Sequence, residues 1–163
     1  MGKFDEEMAN YIRSWELPKS LESIKDDINF KFDDNEISDV KEEEKGYLCE
    51  RDNVKFCLYN KKLRKTLFSM DFQWRENNRA FPDDSYPRVD LMFIRTHGYE
   101  LKRKGIASYY ISKLREYAVS KKAKCIHVTV HADVSGSALS QKELLEFYNK
   151  RSTIEMPIEI TKF

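Results

Sequence analysis

Strands and helices alternate through the second half of this chain, and that order predicts a mixed α/β fold of the α+β kind: a central sheet of about six to seven strands flanked by helices. Three observations lead there. The β-branched and apolar run Val89–Arg95 is followed by a helical pattern from about residue 103, and then by Ile126, Val128 and Val130 alternating with His127, Thr129 and His131. In the first half, 46–50 and 54–59 flank Arg51-Asp52-Asn53, a hairpin turn. At 163 residues the chain suits one domain, 1–163, around one core supplied by ten Phe, nine Tyr and two Trp.

In order, Phe4, Met8, Tyr11, Ile12 and Trp15 repeat at helical spacing, predicting an amphipathic helix over 4–16 that Pro18 ends. A shorter helical piece covers 21–26. Ile28, Phe30 and Phe32 alternate as a first strand, and 33–45 is an acidic loop. After the hairpin, Phe68, Met70, Phe72 and Trp74 alternate along another strand. The stretch 75–88, with Asn77-Asn78, Pro82-Asp83-Asp84 and Pro87, is loop. Leu139 to Lys150 reads as a helix, and Ile154, Met156, Ile158 and Ile160 as a last strand interrupted by Pro157. Right-handed crossovers are expected in the second half.

Composition excludes several classes. Charged residues make up 35% and mean hydropathy is −0.71. No apolar run approaches the roughly 20 residues of a membrane span. The N-terminus has no signal-peptide pattern, and Glu6 stands where a myristoylated start needs Ser or Thr, so a cytoplasmic location without membrane attachment is expected. Cys49, Cys57 and Cys125 form no C-x-x-C pair and are odd in number, as reduced buried thiols would be. A net charge of +1 steers the chain to no nucleic acid. Charge is uneven, however: 33–44 hold seven carboxylates against Lys41, and 102–124 hold eight Lys/Arg against Glu116. Such a local basic patch suits a small polyanion, or is a solvated helix face. No metal site is expected, because His127 and His131 lie roughly 13 Å apart along a strand.

The basic stretch opens a helix whose apolar residues Ile106, Ala107, Tyr110, Ile111, Leu114 and Ala118 share a face. The first turn of a helix has N–H groups without intrahelical partners and carries the positive end of the macrodipole, which suits phosphate. Gly105 and Ala107 leave room for a ligand near the backbone, and Lys102, Arg103 and Lys104 add charge. A single glycine here fits no dinucleotide fingerprint, and Gly98-x6-Gly105-Ile106 lacks the Gly-Lys-Ser/Thr ending of a P-loop.

Lys102-x-x-Gly105-x-Ala107 resembles the Gln/Arg-x-x-Gly-x-Gly/Ala signature of the GCN5-related N-acetyltransferases, in which successive backbone amides hold the pyrophosphate of acetyl-CoA; Lys replaces the usual first residue. The resemblance implies acetyl-CoA as acyl-donor cosubstrate, held by Lys102, Arg103, Lys104, Gly105, Ile106, Ala107 and Ser108. It also implies that the backbone of Phe93, Ile94 and Arg95, on the family's fourth strand, which splays from the fifth, takes the thioester carbonyl. Gln141-x-x-Leu144-x-x-Phe147-Tyr148-x-Lys150-Arg151 is similar to the family's Asn-x-x-Ala-x-x-Phe/Leu-Tyr-x-Lys segment. There the Tyr protonates the leaving thiolate and the Asn touches the pantetheine arm, roles that pass to Tyr148 and Gln141. Gln stands for Asn, and Ser152-Thr153 replaces the Gly-Phe that often follows. Two helices usually separate the family's first two strands, and thirteen residues at 33–45 are too few for both, so either the first strand lies elsewhere or the N-terminal layout is irregular.

The implied activity is direct transfer of acetyl from acetyl-CoA to a primary amine, with the acceptor unspecified and a homodimer open, as several family members are dimers. His131, near the C-terminal end of its strand, is a candidate base. His97, Asp90, Glu100 and Glu143 are weaker candidates, and a water chain is an equal alternative. The rival from another class is a catalytically inactive acyl-CoA-binding or regulatory module of the same fold; a basic-helix nucleic-acid binder stands third.

Overall fold

The computed structural model describes residues 4–34, 46–77, 86–97, 105–130 and 141–162. The chain divides into two compact units, Met1–Phe72 with Phe93–Tyr110, and Gln73–Met92 with Ile111–Phe163. Among the described residues, seven strands pair in the order β1-β3-β4-β5-β6-β7, with β2 also on β3. This is the mixed sheet with helices that the sequence predicts.

In the first unit, α1 (Glu6–Arg13) starts at Asp5, whose carboxylate accepts from the Met8 N–H at 2.8 Å. Glu6 and Glu7 in its first turn and Arg13 in its last complement the helix dipole. Only Met8, Ala9 and Ile12 are buried on it, so the helix is shorter than the apolar spacing over 4–16 suggests. Trp15 lies past its end, buried against Phe56 and Phe72 at 6.4 Å between ring centroids. Beyond Pro18 the chain restarts as a 3-10 segment, Lys19–Asp27.

β1 (Ile28–Lys31) and β2 (Leu48–Glu50) both run antiparallel to β3 (Asn53–Asn60). β1 pairs from Ile28↔Asn60 to Lys31↔Cys57, and β2 from Leu48↔Lys55 to Glu50↔Asn53. The two therefore follow one another along one edge of β3, and β4 (Lys65–Arg75) takes the other. The first strand stands where the sequence puts it, and the irregular N-terminal layout is this shared edge. The end of the chain after β1 and the start before β2 lie close together. Asp34 ties the ends: its carboxylate accepts from the Gly46 N–H at 2.9 and 3.0 Å and from the Tyr47 N–H at 3.0 Å. Gly46, at φ +96°, makes the return turn that a side chain would strain. The acidic run 35–45 lies outside the described residues.

β5 (Arg88–Thr96) follows, and its first half belongs to the second unit. There β5, β6 (Cys125–Val130) and β7 (Ile158–Lys162) are parallel, with α2 (Ile106–Ser120) and α3 (Gln141–Arg151) as the connecting helices. The last strand is shorter than its alternation suggests. Ile154 is 97% exposed, and the chain turns at 154–156, where the Thr153 hydroxyl accepts from the Met156 N–H at 3.0 Å. Pro157 then precedes the strand. Ser152 also serves this turn, its hydroxyl accepting from the Ile158 N–H at 2.9 Å. Ser152-Thr153, a departure from the family segment, thus builds the link between α3 and β7. The three cysteines are buried thiols.

Candidate functional site

The start of α2 is held from within the first unit. Tyr110 is fully buried, its ring stacked on Phe68 at 4.5 Å and packed against Phe56 and Trp15 at 6.0 and 6.4 Å. Its neighbour Tyr109 donates its hydroxyl to the Glu16 carbonyl. Ile106, 1% exposed, is a third anchor. These contacts fix the direction in which the first turn points.

The helical ladder begins with the Tyr109 N–H donating to the Gly105 carbonyl at 2.9 Å, so the N–H groups of Ile106, Ala107 and Ser108 lie ahead of it. Gly105 is exposed and has φ +78°, and a Cβ built there would meet nothing within 4 Å. The sign of φ favours glycine, and among the described residues the space above it is open. Gly105 stands beside the positive end of a 15-residue helix, which suits a phosphate. Ala107 and Ser108 are half-buried, while the Ile106 side chain points into the core and leaves only its backbone for a ligand. Lys102, Arg103 and Lys104 lie outside the described residues.

β5 changes character along its length. Arg88 to Leu91 pair with Cys125 to Val128, and the register ends at Leu91↔Val128, although β5 continues to Thr96 and β6 to Val130. The side chains show why. Arg75 and Ser69 lie six positions apart on β4, and their partners, Asp90 on β5 and His97 just past its end, lie seven apart. Side chains alternate strictly along a regular strand, so one extra residue is present: a β-bulge, which bends a strand and interrupts pairing. Phe93, against Lys55, shares the face of His97 at even spacing, so the extra residue falls between Asp90 and Phe93. Met92, 53% exposed, falls in this interval, and Phe93 to Thr96 are half-buried. The His97 N–H donates to the Leu67 carbonyl of β4 at 2.8 Å. Alternation then turns the Ile94 N–H to the edge of β5 away from β4.

Several polar groups share a sheet face with this end of β5. Ser69 and His97 are joined Oγ to Nε2 at 2.9 Å. Lys55 on β3 holds its Nζ 5.4 Å from the centroid of the Tyr47 ring and 5.5 Å from that of Phe93. Asp71 on β4 has its carboxyl raised above the usual range by burial, with the Lys55 ammonium pulling the other way. Lys55 and Asp71 escaped the sequence reading, because an isolated charge at an alternating strand position looks like ordinary solvent face. His97 was named, but without its partner Ser69.

In the second unit, Asp90 is buried between guanidinium groups, 2.8 Å from Arg88 Nε and 2.9 Å from Arg75 Nε, with His127 Nδ1 at 3.8 Å. Committed to two arginines, it is a structural strut rather than a free base. Tyr148 on α3 is 5% exposed, and burial pushes its phenol up to about 12, against the opposing pull of Arg151. The end of α3 is tied by Arg115 Nη2 donating to the Arg151 carbonyl at 2.9 Å, and by Arg151 Nη1 donating to the Phe147 carbonyl at 2.8 Å with its guanidinium 3.7 Å from the Phe147 ring. Gln141 opens α3, but its side chain and His131 lie outside the described residues. Among the described residues no His, Cys, Asp and Glu group could hold a metal, and no helix is long and apolar enough to cross a membrane.

No protein-family model matches the chain, and no curated protein does. Solved structures similar to it include a transcriptional regulator from Bacillus halodurans C-125, at 16% identity over 64% of this chain and 61% of that one, TM-score 0.46. Two others are aminoglycoside acetyltransferases from uncultured soil metagenomic samples. HMB0005 is 16% identical over 64% of this chain and 60% of its own, TM-score 0.43. The other, meta-AAC0020 in complex with trehalose, is 13% identical over 80% and 90%, TM-score 0.46. The chain spans about three-fifths of the first two of these relatives.

Proposed function

We propose that this chain is an N-acetyltransferase that moves an acetyl group from acetyl-CoA directly to a primary amine. The observation that carries the reading is Gly105: an exposed, left-handed glycine opening a long helix, where a Cβ would meet nothing within 4 Å among the described residues. The residues fit a pyrophosphate. Backbone N–H groups would hold it, and the charges of Lys102, Arg103 and Lys104 would supplement them.

The bulged end of β5 suits the thioester. A carbonyl that becomes an oxyanion needs a fixed donor, and the Ile94 N–H, turned from β4, is such a group within the stretch Phe93 to Arg95. In this reading Tyr148 is the general acid and Gln141 meets the pantetheine arm. With its phenol at about 12, Tyr148 is fully protonated at neutral pH. The same value favours a second reading, an acyl-CoA-binding module without transfer. Burial that raises the phenol weakens Tyr148 as a proton donor to a thiolate.

Isothermal titration with acetyl-CoA tests the first reading. Saturable binding by the parent, absent in a folded Gly105→Glu protein, is the expected result. No binding by the parent would remove both readings. Binding without acetyl transfer to any of a panel of amines would leave the module.

A further inference from the structure

We infer that Lys55 is a self-acylation site, at which the chain's own amine accepts the acetyl group. The inference rests on the proposed acetyl-CoA reading. Lys55 Nζ does not trail into solvent. It is held between the Tyr47 and Phe93 rings, 5.4 and 5.5 Å from their centroids, and lies 3.8 Å from where a Gly46 Cβ would stand. Phe93 begins the stretch of β5 whose backbone is proposed to receive the thioester, one residue before the Ile94 N–H. The amine therefore lies against the side chain of the residue that precedes this donor, and an amine held beside the carbonyl it attacks reacts as though at very high local concentration.

The surroundings also suit its chemistry. The attacking amine must be neutral, and a carboxylate raised by burial takes a proton more readily than an exposed one. Asp71 is raised in this way, with the Lys55 ammonium opposing the rise. The ammonium gives one proton to solvent. The free amine then attacks the thioester carbon, forming a C–N bond as the C–S bond breaks. A second proton leaves the nitrogen and ends on the departing sulfur. The products are an amide at Lys55, free CoA thiol and one proton. Acetylation removes the charge between the rings, and the neutral amide loses the cation–π attraction to Tyr47 and Phe93.

Incubation of the full chain with acetyl-CoA, followed by intact-mass and peptide mass spectrometry over time, tests this, with calorimetric binding measured on the same preparation. The expected result is one acetyl group on Lys55, gained at least about tenfold faster than on the surface residues Lys61 and Lys62, at a rate independent of protein concentration. Lys55→Arg abolishes the modification, and Gly105→Glu reduces Lys55 to the surface rate. Acetyl-CoA binding with Lys55 unmodified, or Lys55 modified equally fast in Gly105→Glu, overturns self-acylation and leaves the proposed function standing. Absence of binding overturns both.

Discussion

The two halves of β5 differ in pairing and burial. From Arg88 to Leu91 the strand is in register with β6, Val89 and Leu91 are buried, and Asp90 lies between two guanidinium groups. Among the described residues the strand's register with β6 ends at Leu91, the side chains from Met92 onward are exposed or half-buried, and it carries a bulge. One sequence run, Val89-Asp90-Leu91-Met92-Phe93-Ile94-Arg95, thus performs two tasks. The first half holds the sheet together. The second turns the Ile94 N–H away from β4, where the proposed thioester carbonyl would meet it.

The largest expected effect of breaking this contrast is on the first half. Asp90→Ala leaves Arg88 facing Arg75 with no carboxylate, and removing one partner of a buried pair costs about 3 kcal/mol or more. Chemical denaturation should show that loss, while acetyl-CoA affinity per folded molecule stays within about twofold because the contacts of Phe93 to Arg95 are untouched. Striking the second half should do the reverse. Ile94→Pro removes the N–H that faces away from β4, so it breaks no bond to that strand. It should lower acetyl transfer by about 10² or more, as loss of an oxyanion donor does, with a smaller stability loss than Asp90→Ala. Tyr148→Phe separates transfer from binding. If Tyr148 is the acid, the rate falls about 10²-fold with affinity retained; no change in rate would leave another group as donor.

A weaker effect sharpens the comparison at alkaline pH. Burial pushes the Cys49 and Cys125 thiols from 9.0 up to about 12. The folded chain keeps these protons where the unfolded chain releases them, so stability is unaffected below pH 9 and falls as pH rises from 9 towards 12. Cys125, at the start of the β5–β6 register opposite Arg88, ties part of that loss to the paired half. Cys125→Ala should flatten the pH dependence measured by thermal unfolding, whereas substitutions at Phe93 should not. Smallest is Phe93→Leu, which keeps the apolar bulk and loses only the ring beneath Lys55, a change of about 0.5–1 kcal/mol in denaturation.

Most of the element order was legible because the core faces repeat cleanly: Phe68, Met70 and Phe72 on β4, Ile126 and Val128 on β6, Ile106, Tyr110 and Leu114 on α2. The left-handed turn at Gly105 was legible as a glycine before a helix, although its φ was not. Other features depend on partners distant in sequence. Alternation cannot show a bulge in β5, since the extra residue appears only against the β4 contacts at Arg75 and Ser69. Nor can it show that β1 and β2 share an edge, which follows from pairing to β3. Ile154 to Ile160 alternates like one strand, but the hydroxyl of Thr153 and Pro157 divide it. Lys55 and Asp71 gain meaning only when the sheet brings Tyr47 and Phe93 to the same face.

The most direct test is amide hydrogen exchange along β5 with and without acetyl-CoA. The account predicts slow exchange at the paired residues Val89 to Leu91 in both states, and protection of Ile94, with its neighbours to Thr96, appearing only when acetyl-CoA is bound. Equal protection of both halves in the free protein, or no change at Ile94 on saturation with acetyl-CoA, would contradict it.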